Sequence, residues 1–285
     1  MPEGPAPAPV IQRLRVRYAK RGRLRFTSHR DISRAVERAV RRAGIPVAFS
    51  AGFTPHPKIS YAGAAATGVA SEAEYLEIAL TETRDPERVR ADLDAALPAG
   101  LDIVDVVAAG QAKTSALADR LAASEWRIRL DGVPETDAAG AVAAFLDASV
   151  IEVERLTKKG RRRFDVRAAV GSLRVEADRR AEGSADAPCA ILRMVVRHTT
   201  PAVRPDDILT GLRQVADLAP PSPPLVTRLA QGPLDADTGE LTDPLEPDRD
   251  FSSGRVAERP SGDEAVTARG AALPAAGTDV AGARS

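Results

Sequence analysis

Cysteine is almost absent: Cys189 is the only one in 285 residues. No internal disulfide can form, and a disulfide-stapled secreted framework is excluded. Histidine is scarce too, with three residues (His29, His56 and His198) far apart in the chain. One cysteine and three scattered histidines make no zinc site of recognised spacing. Aromatic residues amount to 4%. No run approaches the roughly 18 apolar residues of a membrane span. The first ten residues, MPEGPAPAPV, lack a signal peptide's basic start and apolar core, so a soluble cytoplasmic protein is expected. Nucleotide signatures are missing as well. GAAATG (63–68) spaces its glycines like a phosphate loop, but Val69 stands where the lysine belongs, and no G-x-G-x-x-G opens a helix. There is no G-x-S-x-G elbow. Metal-based and covalent catalysis therefore have little support, and a cofactor-free protein is expected.

What is present is charge, unevenly placed. Forty basic and forty acidic residues cancel overall. Between Ile11 and Ala43, however, twelve Lys or Arg stand against Asp31 and Glu37, a surplus of ten. Such a surplus fits a phosphate-bearing or otherwise acidic partner. A second basic cluster, Lys158, Lys159, Arg161, Arg162 and Arg163, surrounds Gly160 at the tip of an expected hairpin. From Glu240 onward, nine acidic residues face five basic ones.

Periodicity organises the chain. LRVRYAK (14–20) alternates as a half-buried strand does, with Leu14, Val16 and Tyr18 on one face. Ser28 reads as a helix cap, with Asp31 imitating a capping box. Ile32, Ala35, Val36, Ala39, Val40 and Ala43 then form one apolar helical face, and Gly44 ends the helix. PVAFS (46–50) is expected as a second strand, and 49–63 as a loop stiffened by Pro55 and Pro57. AEYLEIAL (73–80) is a third strand, with Tyr75 and Glu77 pointing outward. A helix starting at Pro86 and a strand over 101–109 complete a β-α-β-β-α-β order. The order then recurs after residue 123, with an added hairpin over 150–170. The expectation is an α+β chain of two tandem ferredoxin-like domains, 11–110 and 124–230, the second with an extra β-hairpin. A leader (1–10), a linker (111–123) and a disordered C-terminal tail (231–285) surround them, and a chain ending at Ala230 is expected to fold.

Two segments concentrate chemistry. Ser28, His29 and Asp31 open the first helix, whose outer side carries Arg30, Arg34 and Arg38. Phe53, His56, Lys58 and Tyr61 lie in the proline-stiffened loop. With Arg15, Arg17 and Arg25 they form the candidate binding surface. Of the outward strand residues only Tyr75 is aromatic, which argues against base stacking on the sheet and leaves backbone-directed binding through arginines.

These segments resemble a known family. RGRLRFTSHRDISRAVERAVRRAGIPVAFSAGFTPHPKISYAGAAATGVASEAEYLEIAL is similar to the radical SAM-linked proteins, a bacterial domain family of unknown function. The shared positions are Ser28, His29, Asp31, Arg41, Arg42, Gly44, Pro46, Ser50, Gly52, Phe53, Pro55, His56, Pro57, Ser71, Glu74 and Tyr75. The likeness is strong over 11–110 and looser to about 247, including VTRLAQG and LTDPLEP. Relatives are fused behind a radical SAM enzyme or stand alone, as here; the stand-alone form is often encoded near an RNase E/G-type ribonuclease. The resemblance implies an accessory role, because a radical SAM enzyme needs three cysteines for its cluster. The tandem arrangement is also similar to RNA-processing nucleases of CRISPR systems, although their C-terminal glycine-rich loop is not evident. The expected function is binding of RNA, or of an RNA-modifying or RNA-processing partner such as a radical SAM enzyme or RNase E/G-type ribonuclease. The alternatives are a metal-independent RNA endonuclease using His29 or His56, and a pure protein-interaction subunit.

Overall fold

The protein is an α+β chain with one large mixed sheet and five helices among the described residues. The computed structural model describes residues 7–110, 116–157, 160–177 and 188–252. The first half runs β1 (Gln12–Lys20), α1 (His29–Arg42), β2 (Ile59–Ala62), β3 (Ala70–Leu80), α2 (Pro86–Ala96) and β4 (Leu101–Ala108). Its strands lie in the order β4-β1-β3, with β2 beside β3, and every pairing is antiparallel. The second half runs β5 (Ala123–Asp131), α3 (Glu135–Asp147), β6 (Glu152–Thr157), β7 (Gly160–Asp165), β8 (Val170–Glu176), β9 (Cys189–Arg197), α4 (Pro205–Ala216) and β10 (Leu225–Gly232). Here the order is β10-β5-β9-β8, again antiparallel, and β6–β7 form a separate hairpin.

The halves share a single sheet. β10 runs parallel to the start of β3, Thr227 beside Ala70 and Arg228 beside Ser71. The other end of the same β3 edge is taken by β2, from Ile78 to Tyr75. The alternation of β1 sends Leu14, Val16 and Tyr18 into a core with Ile32, Val36, Ala39 and Val40 of α1. Burying each such aliphatic side chain contributes roughly 1.5–3 kcal/mol. α3 and α4 cover the second half in the same manner, around Phe145, Ile208 and Leu212.

Three expectations require correction. The second strand is at 59–62, not 46–50; Val47 and Phe49 make only isolated bridges, to Leu80 and Pro57. PVAFS has strand composition, but Pro46 cannot donate to a ladder and Pro57 ends the pairing. Next, Tyr75 faces away from α1, as the alternation demands, yet it is buried. The sheet's second face is covered by Leu117, Leu121 and Leu245. The covering comes from segments expected as linker and as tail. Finally, the boundary at 230 falls inside β10, and the chain beyond it returns over the first half as α5 (Glu246–Ser252). The close return is why residue 232 is glycine: a Cβ there would lie 2.2 Å from the Thr242 carbonyl oxygen. Among the described residues no helix is long and apolar enough to cross a membrane.

Candidate functional site

α1 begins as its sequence suggests. The Asp31 amide donates to Ser28 Oγ at 3.3 Å, and the Ser28 hydroxyl donates to Asp31 Oδ2 at 2.7 Å. Ser28 and Asp31 thus serve each other and the helix start. His29, the first helical residue, is exposed, and its ring meets Tyr61 of β2 edge-on, centroids 4.9 Å apart at 80°. Tyr61 is therefore not a presented loop aromatic but packs behind α1. Burial is the main cause that pushes its phenol up to about 12, opposed by a contact with the Ser33 hydroxyl. The contact joins the two segments that the sequence marks out separately, 28–31 and 53–61.

Along the outer side of α1, Arg30, Arg34, Arg38 and Arg41 are exposed. Arg34 approaches Asp31 at 3.8 Å, a loose pair with both partners about half exposed. Arg30, Arg38 and Arg41 make no ion pair among the described residues. The loop after residue 49 closes on itself: the Ser50 amide donates to the His56 carbonyl at 2.9 Å, and the His56 amide to Ser50 Oγ at 3.0 Å. Phe53 projects from its tip, with His56 and Lys58 also exposed. These bonds and the two prolines give the loop a defined shape before anything binds.

Other candidates lie elsewhere. Arg15 is buried, donating to Asp248 at 2.7 and 3.0 Å and to Glu77 at 3.3 Å. Arg17 is half-buried and donates to the Glu72 carbonyl at 2.9 Å. Arg25 lies over the Phe26 ring, 4.6 Å from its centroid. On the hairpin, Arg161 pairs with Glu154 at 2.7 Å and Arg163 approaches Glu152 at 3.7 Å, across the strand pair. Arg162 is exposed. Lys158 and Lys159 fall outside the described residues.

Two polar clusters were not legible beforehand. One joins the halves. Arg228 pairs with the buried Glu74 and donates to Ser71 Oγ at 3.3 Å, and Gln231 donates to the Ala73 carbonyl at 2.6 Å. Lys20, also buried, donates to the Ala65 and Ala66 carbonyls at 3.3 and 3.1 Å. Burial above all lowers its pKa, the Arg228 charge adds to that, and Glu74 opposes. GAAATG is thus a wrapper around a buried lysine, and Ser71 and Glu74 of the quoted motif hold the seam. The other cluster clamps the returning chain. Asp248 accepts from Arg15, from Arg120 at 2.7 Å and from the Gly110 amide at 3.2 Å. Burial alone would push this carboxyl up; the Arg120, Arg15 and Gly110 hydrogen bonds outweigh it and hold the pKa below its ordinary value. Among the described residues, no three of His, Cys, Asp or Glu gather as a metal site would require.

The architecture is thus that of an α+β protein with a clamped seam and a cationic helix face whose Arg30, Arg38 and Arg41 make no ion pair among the described residues. The chain belongs to a bacterial family described as "Uncharacterized protein conserved in bacteria (DUF2344)", whose model matches residues 13–205, more than half its length. The match takes in α1, the loop around His56 and the β6–β7 hairpin, and stops at the start of α4. A search of curated proteins finds no match.

Proposed function

We propose that this protein is a binding protein for RNA, gripping the phosphate backbone through the outer face of α1 and the adjoining loop. The observation that carries this is the contrast among its arginines. Arg15, Arg17, Arg161 and Arg163 have internal partners, whereas Arg30, Arg38 and Arg41 stand together on one helix face and make no ion pair among the described residues. Uncompensated cations in a row match a polyanion, and each phosphate contact releases counterions. On this reading the sheet consists of two ferredoxin-like halves, each with the strand order 4-1-3-2, and the second half carries the hairpin as an insertion. The resemblance to radical SAM-linked proteins suggests the setting: an accessory role beside a radical SAM enzyme or an RNase E/G-type ribonuclease acting on the same RNA.

Arg34→Glu combined with Arg38→Glu tests this. Both side chains are exposed, so the fold should survive. RNA affinity should fall, and the slope of log affinity against log salt should drop by about one per lost contact. Unchanged affinity and slope at low salt would remove α1 from the interface. Cleavage of the probe in excess chelator would replace pure binding by catalysis through His29 or His56.

A further inference from the structure

The exposed aromatics narrow the kind of RNA. Six phenylalanines occur in the chain. Phe145 and Phe164 are buried in the second half, at 0% and 8% exposure. Phe26, Phe49 and Phe53 are 61%, 44% and 87% exposed, and all lie within the stretch that flanks α1. A chain so poor in aromatics leaves three large apolar rings in water in the stretch that flanks the exposed arginines of α1. Each exposed ring forgoes apolar burial worth roughly the 1.5–3 kcal/mol of a core phenylalanine, and a ligand that covers it would recover part of that.

The geometry fits a strand running along α1. Phe26 ends the short 3-10 turn Gly22–Phe26, just before the Ser28 cap. Arg25 lies over that ring at 4.6 Å, so the pair offers both a guanidinium plane and an aromatic face. At the other side, Tyr61 touches His29 at 4.9 Å, and Pro57, the base of the Phe53 loop, is four residues before Tyr61. At about 3.3 Å per extended residue, the loop base lies within about 20 Å of the start of α1, a separation that several nucleotides can bridge. Cations between two sets of exposed rings can hold phosphates while bases stack at either end.

We infer that the ligand of this surface is single-stranded RNA with unpaired bases stacked on Phe53 and on the Arg25–Phe26 pair. A duplex hides its base faces, so it could meet the arginines but not the rings. This inference rests on the RNA-binding function proposed above. It adds that the rings, which lie off the sheet, do the stacking that the sheet's covered face does not offer.

The test compares three probes on the full chain: a mixed-sequence single-stranded oligoribonucleotide, the same strand annealed to its complement, and an abasic strand of the same length. The single strand should bind most tightly. Phe53→Ala should weaken its binding about tenfold and leave duplex and abasic binding unchanged. Phe26→Ala should act in the same direction, whereas Arg34→Glu with Arg38→Glu should weaken all three. Because Phe53 is almost fully exposed, the variant should fold as the parent does, which a thermal melt verifies. Equal binding of all three probes, insensitive to both phenylalanine variants, would overturn the stacking inference and leave phosphate binding intact. Binding of none would overturn both.

Discussion

The two faces of the first half use the same residue type for opposite ends. On the strand face opposite α1, Arg13 reaches Glu77 at 2.8 Å, Arg15 reaches Asp248 at 2.7 Å, and Arg17 donates to a backbone carbonyl. On α1, four positions apart along the helix, Arg30, Arg34 and Arg38 point into solvent. The surplus of ten positive charges counted in the sequence is therefore not one surface. Part of it neutralises acidic residues of β3, of β4 and of the returning C-terminal chain. Only the remainder is available to an outside anion. Local charge in a sequence thus overstates a binding patch whenever acidic partners arrive from distant segments.

The clamp carries the largest expected effect on the buried side of this contrast. Asp248 is fully buried between two nearly buried arginines. Asp248→Ala would leave Arg15 and Arg120 in a low-dielectric site without their shared carboxylate, and should cost about 3 kcal/mol measured by denaturant melts. That is a large share of the total stability of an ordinary domain. The pH dependence has a definite sign. The folded pKa lies below the ordinary 3.8, so the clamp is at full strength above 3.8 and weakens as pH falls through the lower folded value. Asp248→Asn should flatten that acid-side loss. If both variants melt like the parent at pH 7 and pH 3, the arginines of this face are held by something else.

The clamp also marks where sequence reasoning stops. α1 was legible because its signals are local: Ser28 and Asp31 cap it, and its apolar face repeats at helical spacing. The strand alternation of Leu14, Val16 and Tyr18 was legible for the same reason. Asp248 was not, because its partners lie 233 and 128 residues away and its own surroundings are rich in proline and charge. A chain cut after Ala230, which composition alone would pass as intact, lacks Leu245 and Asp248 and uncovers Tyr75. The candidate site divides along the same line. Phe53, His56 and Lys58 could be placed on the surface because two prolines stiffen their loop. The burial of Arg15 was not legible, because alternation gives its face but its partner Asp248 arrives from 233 residues away; nor was the packing of Tyr61 behind α1, because it lies in β2, a segment expected as loop.

The cap gives an intermediate effect that sharpens the helix side. Ser28→Ala removes the acceptor of the Asp31 amide and the donor to its carboxylate. The expected loss is about 1 kcal/mol in a chemical melt. RNA affinity should fall only to the extent that the start of α1 frays, since Ser28 hydrogen-bonds to Asp31 rather than outward. A loss of binding far larger than the loss of stability would mean that the Ser28 hydroxyl contacts the ligand directly.

The smallest expected effect on stability is at His56, and it bears most directly on the loop. Its backbone is engaged at both ends, the amide with Ser50 Oγ and the carbonyl with the Ser50 amide, while the ring is exposed. His56→Ala keeps both backbone bonds and both neighbouring prolines. Stability should therefore change by less than about 0.5 kcal/mol, as for other exposed positions. If the loop contributes to the interface, RNA affinity should still drop, because a side chain held beside Lys58 and Phe53 on a pre-shaped loop is lost without any compensating flexibility. A melt and a binding isotherm on the same sample separate the two quantities. A protein that is destabilised by more than about 1 kcal/mol yet binds normally would make the ring a packing element and the loop a spacer. The charge of α1 and the Arg25–Phe26 pair would then be the whole of the interface.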